Sequence, residues 1–157
     1  MPTGGRSTLT QFLIEERRRA PGATGDLNGL ITAVSLACKA ISRKVAYGGL
    51  AGVLGSAGTG NVQGEEQQTL DVLSNQMFLR ANEWGGHVAG MVSEELEQAY
   101  TLPPQYPRGK YLLLFDPLDG SSNVDVNVTV GSIFSIIRAV TAGQDARPQD
   151  FLQPGTE

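Results

Sequence analysis

The sequence predicts an α+β fold in which layered helices pack on a mixed, largely antiparallel sheet, and three observations carry that expectation. Three stretches before Gly85 repeat apolar side chains at the helical period of 3.6 residues. The apolar runs after His87 are short and either continuous or alternating, as strands are. Helices grouped first and strands afterwards argue for segregated layers rather than alternating βαβ units. At 157 residues, 40% of them hydrophobic, the chain supports a single domain over 1–157. Its ordered core is expected over about 8–140.

The first helix follows a cap at Ser7 or Thr8, places Leu9, Phe12 and Leu13 on one face, spaces Glu15 and Arg19 as an i,i+4 pair, and ends at Pro21-Gly22. Arg17-Arg18-Arg19 reads as a solvated helix end favoured by the macrodipole, ahead of an anion site. Thr24-Gly25-Asp26 opens a longer helix carrying Leu27, Leu30, Ile31, Val34, Cys38, Ile41 and Val45, a structural spine of about 30 Å. Its start could receive a phosphate, but Asp26 as a simple cap accounts for the same residues.

Residues 48–64 hold seven glycines and no periodicity, so a mobile, unstructured loop is expected, over 49–68 with its flanks. It is not a nucleotide P-loop, because no Gly-Lys-Ser/Thr follows its glycines. Glu65 and Glu66 close it. The third helix starts near Thr69, carries Leu70, Leu73, Met77, Ala81 and Trp84, and has Asp71 in its first turn, where an acid also suits the dipole. Met77 and Trp84 are expected in the core, and His87, the one histidine, at the surface or in a turn.

A strand over Val88 to Ser93 ends in Glu94-Glu95, and both glutamates can reach one site only where the chain bends away. A second strand over Tyr111 to Leu114 stops at Asp116, in the run Phe115-Asp116-Pro117-Leu118-Asp119-Gly120-Ser121-Ser122-Asn123. Pro117 cannot continue a ladder, and Gly120 lets the backbone fold back sharply. Gly120, Ser121 and Ser122 then offer N–H groups and two hydroxyls to an oxyanion. Val124, Val126, Val128 and Val130 alternate with polar residues as a strand, and Ile133 to Ile137 forms another. The polar stretch 141–157 shows no element.

Two strand ends thus present Glu94, Glu95, Asp116 and Asp119, with Glu65 and Asp71 expected near them. Oxygen ligands without His or Cys suit Mg2+, or Mn2+, bridging carboxylates and phosphate oxygens. A calcium loop at Asp125-Val126-Asn127 fails, since Val130 stands where such a loop needs Gly and no Glu closes it. One histidine and the single Cys38 leave no credible Ser-His or Cys-His pair. Charge is divided along the chain: residues 1–64 carry seven bases and three acids, and residues 65–125 three bases and ten acids. No run suits a membrane span, and the absence of a signal-peptide pattern leaves the cytoplasm as the expected compartment.

Asp116-Pro117-Leu118-Asp119-Gly120-Ser121-Ser122, with Ser93-Glu94-Glu95, Leu70-Asp71-Val72-Leu73-Ser74-Asn75 and Arg108-Gly109-Lys110-Tyr111, resembles class I fructose-1,6-bisphosphatase over roughly residues 8–140. The resemblance implies a sugar-phosphatase fold and hydrolysis of the 1-phosphate of fructose 1,6-bisphosphate in gluconeogenesis. It implies Glu94, Asp116, Asp119 and the Leu118 carbonyl as Mg2+ ligands, and Asp71 and Glu95 as the pair that orients and deprotonates water. Glu65 matches an acidic loop position that approaches the metals, and Asp119, Gly120, Ser121 and Ser122 match the receiver of the 1-phosphate.

The same resemblance implies an AMP effector site at Thr24, Gly25, Asp26, Leu27, Asn28, Lys110, Tyr111 and Arg138, although Asp26 and Asn28 differ from the Glu and Thr of animal enzymes. Members of the family form homotetramers and are about twice as long, so an N-terminal portion with little turnover of its own is the expectation. Neither nucleic acid nor a membrane is expected as a partner. Two other readings are a non-catalytic AMP-binding module and an inositol monophosphatase-like phosphatase, the latter leaving Leu70 to Asn75 unexplained.

Overall fold

A computed structural model of the chain describes residues 7–47, 56–60, 66–126 and 128–154. Two helices come first, α1 (Leu9–Arg19) and α2 (Asp26–Tyr47). A two-stranded antiparallel sheet of β1 (Ser56–Gly60) and β2 (Glu66–Gln68) leads into α3 (Thr69–Asn82). The main sheet has three strands, β3 (Val88–Ser93), β4 (Tyr111–Asp119) and β5 (Gly131–Arg138), in that spatial order. β3 runs parallel to β4, and β4 antiparallel to β5, so the sheet is mixed, as expected.

The core lies between α2, α3 and this sheet, where Leu30, Val34, Ile41, Leu70, Phe78, Met91 and Leu113 are all buried. β4 is central and accordingly reads as an apolar run, with Leu112 and Leu113 fully buried. Phe78 of α3 stacks on Phe115 of β4, ring centroids 4.3 Å apart, which fixes the helix beneath the end of the strand that carries Asp116. α2 extends along the sheet. Its first residue contacts Lys110, at the start of β4, while Cys38, Ile41 and Val45 line a cavity of about 300 Å³ with Leu118, near that strand's end.

Several expectations require correction. The Gly-rich segment is not unstructured throughout, because Ser56–Gly60 pairs with Glu66–Gln68; its remaining residues, 48–55 and 61–65, lie outside the described ones. The alternating valines form no strand: Ser121–Val126 is a 3-10 helix, whose turn is closed by Asn123 N–H donating to Gly120 O at 2.9 Å. Val124 and Val130 pack against the core there, which gives these β-branched residues burial without a ladder. The polar stretch after 140 contains a further 3-10 helix, Pro148–Phe151, whose Phe151 is buried against Ala89 and Leu112. The Asp150 carboxylate closes its first turn, accepting Arg147 N–H at 2.9 Å and the Arg147 guanidinium at 2.9 Å.

In α1 only Leu13 is buried, while Leu9 and Phe12 are exposed. Thr8 is the cap, its hydroxyl oxygen accepting Gln11 N–H at 3.1 Å. Arg19 bonds Glu16, not Glu15, which accepts from Gln11 instead. Trp84 stands 63% exposed beyond the end of α3 rather than in the core. His87 is half-buried rather than superficial, its ring so close to α2 that a Cβ on Gly29 would lie 2.4 Å from Nε2.

Candidate active site and effector pocket

Parallel pairing brings the C-terminal ends of β3 and β4 to one edge, the position at which open parallel sheets bind ligands. Ser93 faces Phe115, and Glu94 N–H donates to Phe115 O at 3.0 Å, so Glu94 leaves the sheet next to the stretch of β4 that carries Asp116. The chain bends there as required, with Glu95 N–H turned back onto Ser93 Oγ at 3.2 Å.

β4 does not stop at Asp116 but continues to Asp119 through a bulge. Asp116 pairs with Ile133 and Asp119 with Gly131, so three steps on β4 meet two on β5. The extra residue falls at Pro117-Leu118, where Pro117 has no N–H to donate, and bulges re-aim side chains at such places. Leu118 N–H donates to Asp116 Oδ1 at 2.9 Å, and Ser132 Oγ donates to Pro117 O at 2.8 Å. Gly120 then turns the chain with a φ of +82°, a value that other residues rarely adopt, into the 3-10 helix that carries Ser121 and Ser122.

Asp71, in the first turn of α3, is buried, and its charge reaches Asp116. Burial pushes the Asp116 carboxyl above the usual carboxylate range; Asp119 and Asp71 push it the same way, and the Leu118 N–H opposes them. The site is therefore a set of like charges that a cation would relieve, and its donors, carboxylates and a backbone carbonyl without His or Cys, fit a hard divalent ion. Among the described residues, no group of three or more such side chains is close enough to enclose one as it stands. Glu65 lies outside the described residues.

At the opposite edge, Tyr111 of β4 faces Val88 on one side and Arg138 on the other. A cavity of about 430 Å³ opens there, walled by Thr24, Gly25, Leu27 and Asn28 from the start of α2 and by Lys110, Tyr111 and Arg138 from the sheet. Seven of the eight residues assigned to an effector site thus share one cavity. The eighth, Asp26, is tied to it: Lys110 Nζ donates to Asp26 Oδ2 at 2.7 Å and to Thr24 Oγ1 at 3.2 Å, and the Thr24 hydroxyl donates to Asp26 Oδ2 at 2.7 Å. The Lys110 and Thr24 donors hold the Asp26 carboxyl below its ordinary range. Asp26, expected as a cap, is instead the first residue of α2, with its carboxylate bonded to Thr24 and Lys110. Asn28 Nδ2 donates to Leu13 O at 2.8 Å, docking α1 on α2.

Glu16 and Arg17 of α1 also wall this cavity, and sequence reasoning left them on a solvated helix end. Lys110 is positioned from behind. Gly109 passes so close to His87 that a Cβ would fall 2.1 Å from its carbonyl carbon and oxygen. Arg108, 12% exposed, donates to the carbonyls of Leu102, Pro103 and Tyr106 and to Asp145 Oδ1, which fixes the loop that delivers Gly109 and Lys110.

Residues 7–157 match the family described as "Fructose-1-6-bisphosphatase, N-terminal domain". "Fructose-1,6-bisphosphatase class 1 3" of Methylibium petroleiphilum is 83% identical over 156 residues, 99% of this chain and 44% of that protein. The class 1 enzyme of Hydrogenophilus thermoluteolus is 62% identical over 96% of this chain and 42% of its own length. The chain therefore spans less than half the length of these relatives. The fold resembles crystal structures of Leishmania major fructose-1,6-bisphosphatase at 36% identity. In the holo form the TM-score is 0.81, over 94% of this chain and 43% of that one. In the T-state it is 0.66, over 86% and 38%. Motifs, mixed sheet and relatives agree, and the chain belongs to the fructose-1,6-bisphosphatase family, matching its N-terminal domain.

Proposed function

We propose that this chain supplies the metal-binding and effector-binding part of a Mg2+-dependent phosphatase that hydrolyses the 1-phosphate of fructose 1,6-bisphosphate in cytoplasmic gluconeogenesis. The observation that carries this reading is the meeting of Glu94-Glu95 with Asp116 to Asp119 at one edge of parallel strands, with Asp71 beneath. Glu94, Asp116, Asp119 and the Leu118 carbonyl would hold Mg2+, or Mn2+. A bound divalent ion would polarise the phosphoryl group and stabilise the departing alkoxide. Asp71 and Glu95 orient the attacking water and accept its proton, with Glu65 joining from the preceding segment. The N–H groups of Gly120, Ser121 and Ser122, with Asp119 beside them, receive the 1-phosphate.

The opposite cavity binds AMP as an effector, through Thr24, Gly25, Asp26, Leu27, Asn28, Lys110, Tyr111 and Arg138, in a homotetramer. The test is a chimera in which this chain replaces the matching 156 residues of the Methylibium relative. Mg2+-dependent release of phosphate from fructose 1,6-bisphosphate is expected, whereas the 157-residue chain alone turns over little or none. A folded chimera without activity overturns the reading. A purely regulatory, AMP-binding module is the second reading, favoured by the contrast between a formed cavity and carboxylates that, among the described residues, form no group of three able to hold an ion. It predicts AMP binding without metal and a chimera that remains silent.

A further inference from the structure

The buried face of α3 is divided between apolar and polar side chains. Leu70, Phe78 and Leu79 join the core between α2 and the sheet, yet Asp71, Ser74, Asn75 and Asn82 lie on the same face and are each more than nine-tenths buried. Ser74 and Asn75 follow Asp71 by three and four residues, one turn along, which puts their Cβ atoms about 5–6 Å from that of Asp71. Helical side chains lean toward the N-terminus, so both reach back over the turn that carries Asp71.

A polar group buried without a bond destabilises a fold. Asn82 meets part of this cost locally, its Nδ2 donating to Phe78 O at 2.8 Å. Ser74 Oγ and Asn75 Oδ1, by contrast, have no hydrogen-bond partner among the described residues. The next residue of the stripe is Phe78, apolar and stacked on Phe115, so the polar stretch beside Asp71 is confined to these two side chains. Their chemistry is matched to one small guest. An amide oxygen and a carboxylate accept while a hydroxyl can donate, and a water molecule, with two donors and an acceptor, satisfies all three at once.

We propose that Ser74 and Asn75 are positioning residues: with one internal water they hold the Asp71 carboxylate in the orientation from which it meets the attacking water. The inference rests on the phosphatase reading above and extends its acid–base pair by two residues that touch neither substrate nor metal. They weaken the fold and serve the reaction, a trade common at functional sites.

Steady-state kinetics and thermal unfolding of the Methylibium chimera test it. Ser74→Ala and Asn75→Leu are each expected to lower kcat about tenfold or more, with KM for fructose 1,6-bisphosphate unmoved. Tm should hold or rise, because an unbonded buried polar group has gone. In an Asp71→Asn background the same changes should cost little further kcat, since they act through that carboxylate. Asn82→Leu, on the same face about 16 Å along the helix from Asp71, should leave kcat unchanged. Unaltered kcat in both Ser74→Ala and Asn75→Leu overturns the inference and leaves the phosphatase reading standing. A loss of kcat matched by a fall in Tm, an equal loss in Asn82→Leu, or losses that multiply in full with Asp71→Asn overturn it too, by making the two residues structural. If the folded, unmutated chimera releases no phosphate, the phosphatase reading itself falls, and the roles of Ser74 and Asn75 with it.

Discussion

The two edges of the main sheet are built from the same strands and prepared in opposite ways. Where β3 and β4 begin, cationic side chains and a helix start surround a cavity that is already formed, with Lys110 and Thr24 on its wall bonded to Asp26 behind them. Where the same strands end, about 25 Å away by the rise of β4, carboxylates press on one another, and among the described residues no three of them are close enough to enclose an ion. The difference shows that a cation on a cavity wall can be offset by a neighbouring acid such as Asp26, whereas neighbouring acids make Asp116 harder to ionise.

The largest expected effect breaks one edge alone. In the Methylibium chimera, Asp119→Asn should lower phosphatase turnover about a hundredfold or more while AMP affinity stays unchanged. Equal loss at both edges, by steady-state kinetics and calorimetry, would mean that they are not separable. Gly109→Ala should damage the other edge: its Cβ meets the His87 backbone at 2.1 Å, so the start of β4 must shift. A loss of about 1–3 kcal/mol in urea unfolding is expected, together with AMP binding. Wild-type stability in that variant would show that the close approach is relaxed in solution.

Asp116→Asn sharpens the contrast further. It removes a partly buried charge facing Asp119 and Asp71, yet an amide oxygen can still accept the Leu118 N–H. Without metal, Tm should hold or rise slightly, and the stabilisation that Mg2+ gives the wild type should shrink or vanish. A clear fall in Tm without metal would show that the carboxylate cluster is not under strain. The smallest effect belongs to Asp26. Its folded pKa lies below the unfolded value of about 3.9, so the stability it contributes is present above that value and lost as pH falls through the folded one. Because the pair with Lys110 is half exposed, that contribution is under about 1 kcal/mol. The stability difference between wild type and Asp26→Asn at pH 7 should therefore close as pH falls below about 4; a difference that persists at pH 2 would contradict the sign.

What could be read from the sequence followed the strength of local signals. α2, α3 and β3 are regular because their apolar period runs uninterrupted between caps and glycines, and the carboxylates at the strand ends were visible as a pattern of strand followed by acids. The valines after Gly120 carried a correct period and the wrong structure. Asn123 and Gly120 close a 3-10 turn first, and the side chains of Val124 and Val130 find the core from there. Phe151 was invisible because one aromatic in a polar tail has no period, although its burial anchors the chain after β5. Arg17 was missed for a different reason. Its place on the cavity wall depends on where α1 lands, to which the Asn28 bond to Leu13 contributes, and a triplet of arginines carries no sign of which one faces inward.

The bulge at Pro117-Leu118 has a consequence for how this protein can change. Deleting one residue there would let Asp116 to Asp119 pair step for step with Ile133 to Gly131, lengthening the regular ladder. It would also turn every later side chain of the strand to the other face. Selection for a sturdier sheet and selection for a working carboxylate edge therefore pull in opposite directions at a single position. In a library screened for folding alone, loss of that residue should accumulate; in one screened for catalysis, it should be purged.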